Sequence, residues 1–395
     1  MGTYKIKKPV RLIEFFAGIG SQAMALRDLS VDFTAYLTSE WDVNAIKSYK
    51  AIHFPDDHTD YSKNLSKEEI VTKLNEIGIS SDGKKPMEEQ QIKRRGEKWL
   101  RETYNNCKAI HNIGSITNIH AEDLKIKDKD SYVYLLTYSF PCTDISLAGQ
   151  QKGFDKGSNT HSSLLWEVER ILNECKENNC LPDILLMENV SAIHNKKNMP
   201  NFQIWLDSLR ELGYSSYWQD MNSKNYGIAQ NRERTFVVSL LGGYPYNAYI
   251  FSGPIVLNKR LKDYLESQVD EKYYINSEKA NKLIGDLIDR GVLPREIDRE
   301  REREREREEL TFQLMNQNSE ISQIVSKQDM TQESVTISKT GQESSHMRID
   351  TLGYIEKGTG KHQSNTVYSS NGLSLTLYAG MYRNPFMYIE DNEKK

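Results

Sequence analysis

The sequence predicts an α/β protein: a doubly wound, mostly parallel sheet with helices on both faces, followed by a smaller, irregular domain. Three observations carry that expectation. Short apolar runs alternate with amphipathic helical stretches from residue 11 to about 245, the strand-helix rhythm of a parallel sheet. A glycine-bearing turn, Ala17-Gly18-Ile19-Gly20-Ser21, joins the first run to the first helix. Beyond about residue 245 the periodicity weakens and the character of the chain changes.

Arg11-Leu12-Ile13-Glu14-Phe15-Phe16 reads as the first strand, and Ala23, Met24, Leu26 and Leu29 give the next segment an apolar helical face. A second strand runs to Glu40 and a second helix starts after Trp41-Asp42. Residues 54–112 are polar and lysine-rich, which reads as an insertion of helices and loops. The rhythm resumes with a strand over 132–138, a helix over 162–176, a strand over 184–187, a helix over 202–212 and a strand over 235–240. A first domain at 1–245 and a second at 246–395 follow from this spacing.

The chain's 395 residues are enough for one large and one smaller domain with a full core. With 37% hydrophobic and 27% charged residues, no membrane-length apolar run and no apolar core behind Met1-Gly2-Thr3-Tyr4-Lys5, the composition points to a cytoplasmic, non-membrane protein. Its four cysteines form no CxxC pair, which argues for a reducing compartment and against a zinc or other metal site. A net charge of −4 gives no global nucleic-acid signature, so any such surface must be local. Residues 298–309, DREREREREREE, read as a solvated strut; alternation of Arg and Glu is also what a repeated AG dinucleotide encodes, and such tracts slip in replication.

Four constellations carry chemistry, each with a plainer alternative. The turn at Phe16–Ser21 lets a backbone approach a ligand, although any α/β protein has tight turns; Ala23 stands where a third glycine of a dinucleotide fingerprint would fall. Glu40 ends the second strand, the position from which an acid reaches two ribose hydroxyls, with Trp41 beside it to stack on adenine. Pro141-Cys142 follows a strand directly; a nucleophilic thiol needs such access, but an isolated cysteine is as readily inert. Glu188-Asn189 closes a buried apolar strand, where a carboxylate is costly unless functional, or is simply a helix cap or an exposed strand end. Gln230-Asn231-Arg232-Glu233-Arg234 leads into another strand, with two arginines on one face of an extended segment as a clamp for a phosphate or a base carbonyl, or as a plain surface charge cluster.

In this order, Phe16-Ala17-Gly18-Ile19-Gly20, Glu40-Trp41, Pro141-Cys142, Glu188-Asn189-Val190 and Gln230-x-Arg232-x-Arg234 resemble the DNA cytosine-5 methyltransferases. LLTYSFPCTDISLAGQQKG and SSLLWEVER are most similar to the bacterial CG-specific members. The resemblance covers residues 10–245, and 360–385 more faintly. It implies a Rossmann-like, S-adenosylmethionine-dependent methyltransferase domain, a target-recognition domain after it, and double-stranded DNA as partner, in a restriction-modification or phage setting. Carried over residue by residue, it makes Cys142 the nucleophile, Glu188 the group on the base's N3 edge, and Arg234 and Arg232 the groups ordering the site, with Gln230, Asn189 and Ser146 against the substrate. Phe16, Gly18, Ile19, Gly20, Glu40, Trp41, Ser115, Ile116, Pro141 and Leu164 would line the S-adenosylmethionine.

Three departures from the family pattern stand out. Ser115, in GSITNI, occupies the place of an acid that bonds the adenine amino group, and His161 stands where an arginine is usual. SNGLSLTLYAG, residues 370–380, is similar to the segment before the last two family motifs, and the last of these has no match before Lys395. For that missing end the resemblance implies a second chain that completes the fold or, alternatively, a truncated, inactive DNA-binding remnant; for the substrate, the alternative to DNA is RNA, in an RNA cytosine-5 methyltransferase.

Overall fold

The structure, a computed structural model, describes residues 6–145, 153–158, 160–243, 249–266, 269–270 and 277–291, and the backbone of four short strands at 351–354, 366–369, 374–375 and 387–389. Five of the sheet's six strands come from the runs anticipated in the sequence, and Tyr214–Asn222 is the exception. Val10–Phe15 (β1) pairs in parallel with Phe33–Ser39 (β2) on one side and with Val133–Tyr138 (β3) on the other. Ile184–Asn189 (β4) continues the parallel array beside β3. Two further strands, Tyr214–Asn222 (β5) and, after a short Gln230–Asn231 (β6), Glu233–Leu241 (β7), complete a six-stranded order β2-β1-β3-β4-β7-β5, with β7 antiparallel to β4. The fold is thus the expected Rossmann-like one. The chain leaves β1 for β2 and returns to β3 on β1's other side, so the crevice between the carboxyl ends of β1 and β3 is the topological switch point where such sheets bind ligands.

Alternation along β1 decides which residues enter which layer. Leu12 joins a core cluster with the helices Val43–His53 (α2), Lys67–Ile77 (α3), Glu89–Lys93 (α4) and Glu97–Ala109 (α5), while Ile13 and Phe15 face the cluster built on Leu165–Glu177 (α6) and Met199–Glu211 (α7). Local chemistry starts these helices: Asp42 caps α2 by accepting from the N–H groups of Asn44 and Ala45, and Ser66 with Glu69 forms a capping box on α3. The stretch 54–112 is polar only on its outside. Ile70, Leu74, Ile92, Leu100 and Cys107 are fully buried in the same cluster as Leu12 and Ile46, so the insertion covers one face of the sheet. The strand β5 has no apolar run in its sequence because it is the edge of the sheet, and most of its residues are half-buried or exposed.

By its contacts the chain divides into two compact units, residues 1–221 with 233–253, and 222–232 with 254–395. Residues 222–232, which fall within the sequence's first domain, cluster with the second. In that unit β6 pairs in parallel with Ser374–Leu375, part of the faintly similar segment near the carboxyl end. Thr366–Ser369 lies between Thr351–Tyr354, antiparallel to it, and Met387–Ile389, parallel to it. The Arg-Glu tract lies outside the described residues. Among the described residues no helix is long and apolar enough to cross a membrane, and no group of three or more His, Cys, Asp or Glu is placed to hold a metal ion.

One buried acid sits within the sheet's helical layer. Glu14 of β1 is 1% exposed, accepts from the Tyr49 hydroxyl at 2.5 Å and from the Ala23 N–H at 3.3 Å, and thereby joins β1 to α2 and to the first helix, Ser21–Asp28 (α1). Burial pushes its carboxyl up to about 7 from 4.5, against the lowering effect of the two hydrogen bonds. Between those two values the folded chain holds a proton that the unfolded chain has lost, so the stability from this group is full at the acid end, declines as pH rises to about 7, and then levels off. Glu14→Gln removes the titration. Urea melts are expected to move in the variant's favour, relative to the native chain, by on the order of 3 kcal/mol between pH 4.5 and 7; parallel stability curves would contradict this. Leu100→Ala, in the insertion, is expected to cost about 2–5 kcal/mol in the same melts, whereas a cost below about 1 kcal/mol would mean the insertion packs loosely.

Candidate active site

Two loops meet the switch point, one after β1 and one after β3. In the first, Phe16 (φ 55°), Gly18 (φ 57°) and Gly20 (φ 80°) all take left-handed backbone conformations. A Cβ on Gly20 would stand 2.4 Å from His53 Nε2 and 2.5 Å from a Tyr49 ring carbon, so only glycine fits there. A Cβ on Gly18 would meet nothing within 4 Å, which leaves open space over the turn. Ile19 is half exposed, and its carbonyl lies 2.9 Å from His53 Nε2.

Glu40, 8% exposed at the end of β2, is tied to this turn. Its carboxylate accepts from the N–H groups of Gly18, Trp41 and Asp42, each at 2.8 Å. Burial pushes the carboxyl above its ordinary range, and these three donors oppose the push. The backbone of Glu40 is in turn held by Asn112, whose amide oxygen accepts from Glu40 N at 3.2 Å and from Gly114 N at 3.1 Å while its nitrogen donates to Glu40 O at 2.8 Å. Asn112 thus couples the end of β2 to the Gly114–Ile119 segment. In that segment Ser115 and Ile116 are buried, and the Ser115 hydroxyl shares a 3.0 Å hydrogen bond with Thr117. Arg170 of α6 anchors it from the other side through the Ile119 carbonyl at 2.8 Å. Trp41 and Leu164 are half-buried.

The second loop carries Pro141 and Cys142, both half-buried, beyond β3. None of the four cysteines is in a disulfide. Asn189, 2% exposed at the end of β4, donates its amide to the Phe140 carbonyl at 3.0 Å and accepts from Val190 N at 2.9 Å. It therefore fastens the two strand ends together. Glu188, one residue earlier, pairs with Arg234 across the antiparallel strand, Nε to Oε1 3.2 Å, with side chains 18% and 15% exposed. Because β7 runs antiparallel, its amino end lies on the same edge as the carboxyl ends of β3 and β4. A further network supports that edge: Asp220 of β5 accepts from Thr235 Oγ1 at 2.5 Å and lies 2.9 Å from His194 Nε2, just beyond the Glu188-Asn189-Val190 motif.

Cys142, Glu188, Asn189 and Arg234 are therefore brought to one edge, and Phe16–Gly20 with Glu40 to the adjoining crevice. Gln230 and Arg232 belong to the second unit; the Arg232 N–H bonds back to the Gln230 carbonyl at 3.1 Å, which interrupts the extended segment expected through Arg234. Ser146 lies outside the described residues. His161 is exposed in the short helix His161–Leu164. Sequence reasoning missed Asn112, Asp144, Ser162, His194, Asp220 and Thr235. Each acts through hydrogen bonds to residues distant in the chain, for which local pattern offers no signal.

Residues 75–371 match the family model described as C-5 cytosine-specific DNA methylase. The chain is 37% identical over 275 residues to the orphan methyltransferase M.SssI of Spiroplasma monobiae, covering 68% of each. It is 36% identical over 274 residues to the type II methyltransferase M2.ScrFI of Lactococcus lactis subsp. cremoris, covering 69% of this chain and 72% of that protein. A solved structure of S. pombe Dnmt2 methyltransferase is similar at 17% identity with a TM-score of 0.42, covering 71% of this chain and 67% of that one. The family model spans well over half of the chain, and the chain is a DNA cytosine-5 methyltransferase belonging to the C-5 cytosine-specific DNA methylase family.

Proposed function

We propose that this methyltransferase works on a cytosine flipped out of duplex DNA, through a transient covalent bond between Cys142 and the base, with S-adenosylmethionine as methyl donor. The observation that carries this reading is the gathering of Cys142, Glu188 and Arg234 on one edge of adjacent strands in a chain of this family. Carbon 5 of cytosine is too weak a nucleophile to take a methyl group directly. Addition of the Cys142 thiolate to carbon 6 makes the ring an enamine, whose electron pair is then available at carbon 5. Glu188 faces N3 and supplies the proton that makes the addition feasible, and Arg234 orients the Glu188 carboxyl and bonds the base's O2 side. Once carbon 5 is methylated, loss of its proton to a base and expulsion of the thiolate restore the aromatic ring. A base inside the duplex is out of reach of this edge, which is why flipping is required.

S-adenosylmethionine supplies the methyl group as an electrophile on a positively charged sulfur. The residues of the crevice fit it. Gly18 leaves open the space a side chain would fill. The Glu40 carboxylate, with three N–H donors engaged, keeps one of its roughly four acceptor positions for a ribose hydroxyl. Phe16, Ile19, Trp41 and Leu164 offer apolar surface, and the neutral Ser115 stands where the adenine amino group would come. In the same reading residues 246–395 provide target recognition at a CG-containing site. The chain then serves in a restriction-modification or phage setting, a reading supported by relatives named as an orphan and a type II methyltransferase.

The test is transfer of radiolabelled methyl from S-adenosylmethionine to duplexes with and without CG, and to tRNA. Label is expected in the CG duplex alone. Cys142→Ser should abolish it, and Glu188→Gln should lower kcat by about 10²–10⁴-fold. Transfer only to tRNA would move the substrate to RNA, and native transfer by Cys142→Ser would contradict the mechanism.

A further inference from the structure

The loop that carries Cys142 is fastened by two buried side chains that the reaction itself does not use. Ser162 is fully buried and Asp144 is 5% exposed. The Ser162 hydroxyl donates to the Pro141 carbonyl at 2.7 Å and accepts from the Asp144 N–H at 3.2 Å. One hydroxyl therefore grips the chain on both sides of Cys142. The Asp144 carboxylate returns the contact by accepting from the Ser162 N–H at 3.2 Å, and the Thr143 hydroxyl reaches the same oxygen at 3.4 Å. A turn closed by Ile145 N to Cys142 O at 3.1 Å, and a bond from Gly153 N to Asp144 O at 2.9 Å, complete the knot.

Ser162 is itself anchored. It sits in the short helix His161–Leu164, capped by the Thr160 hydroxyl, and leads into α6, whose Trp166 donates to the Phe154 carbonyl at 2.8 Å within the core. Pro141 adds a fixed φ on the other flank. We propose that Ser162 and Asp144 are positioning residues that hold the Pro141–Cys142 backbone so that the thiol meets carbon 6 of the base at reacting distance. The inference rests on Cys142 being the nucleophile. A displacement of about 1 Å at a reacting atom costs on the order of 10²-fold in rate, so a clamp that leaves substrate binding untouched still acts on kcat.

Steady-state kinetics of the full chain with duplex DNA and S-adenosylmethionine test it. Ser162→Ala and Asp144→Ala are expected to lower kcat about 10- to 100-fold, with KM for both substrates within about twofold of native. Asp144→Asn keeps an acceptor oxygen for the Ser162 N–H and should recover most of that loss. Native kcat in Ser162→Ala, a loss confined to KM, or an Asp144→Asn as slow as Asp144→Ala would each overturn the proposal. Hydrogen exchange in the peptide spanning Cys142 is a second reading, independent of turnover. It should quicken in the alanine variants while the rest of the chain is unchanged, and unchanged exchange there would equally overturn the clamp. Transfer that survives Cys142→Ser would strike instead at the nucleophile assignment, so the two failures are told apart.

Discussion

Tyr138 pairs with Phe15 on one side and with Met187 on the other, and this double registration aligns the ends of the three strands that lead to the glycine turn, to Cys142 and to Glu188. Because the three strands are parallel, their carboxyl ends come out along one edge, and each ends in, or is followed within a few positions by, a residue of chemical interest. The period of a strand is two, so a slip of one residue would turn Glu188 to the opposite face of the sheet and separate it from Arg234. The buried amide of Asn189 reinforces the register. Its bond to the Phe140 carbonyl joins the two loops' roots directly, and its loss would leave a buried carbonyl unsatisfied, a cost of about 1–3 kcal/mol.

The same edge gathers acids that water would otherwise solvate. Glu14 and Glu40 are buried, and each is accommodated by donors that the fold supplies: a tyrosine hydroxyl and a helix N–H for the first, three backbone N–H groups for the second. Both therefore act as struts between neighbouring elements. Glu40 binds the turn after β1 to the end of β2, so that the groups expected to meet a ribose are held by the turn expected to meet the rest of the same molecule. Glu188, paired with a guanidinium on the neighbouring strand, is held by an ion pair instead.

The strands, the glycine turn, Pro141-Cys142 and Glu188-Asn189 were legible because their signals are local: an apolar run, a residue tolerant of positive φ, a polar pair closing a buried strand. The family was legible because five such signals stand in one order. β5 was not, since an edge strand needs no apolar run, and the polar insertion hid its buried face behind lysines. Asn112 and Ser162 were invisible for another reason. They work by bonds to Glu40 and to Pro141, across 72 and 21 residues of chain, and no spacing announces such a bond. The break at Arg232 was equally hidden, because it depends on a backbone bond to Gln230 rather than on residue type.

The proposed covalent bond between Cys142 and the target base can be trapped with a duplex carrying 5-fluorocytosine at the methylated position. Fluorine in place of the carbon 5 proton blocks the final elimination, so the adduct accumulates. With S-adenosylmethionine present, digestion and mass spectrometry should place the modified base on the peptide containing Cys142, at about one per chain. An active enzyme that forms no adduct, or forms one on another residue, would show that the Cys142 thiol is not the nucleophile.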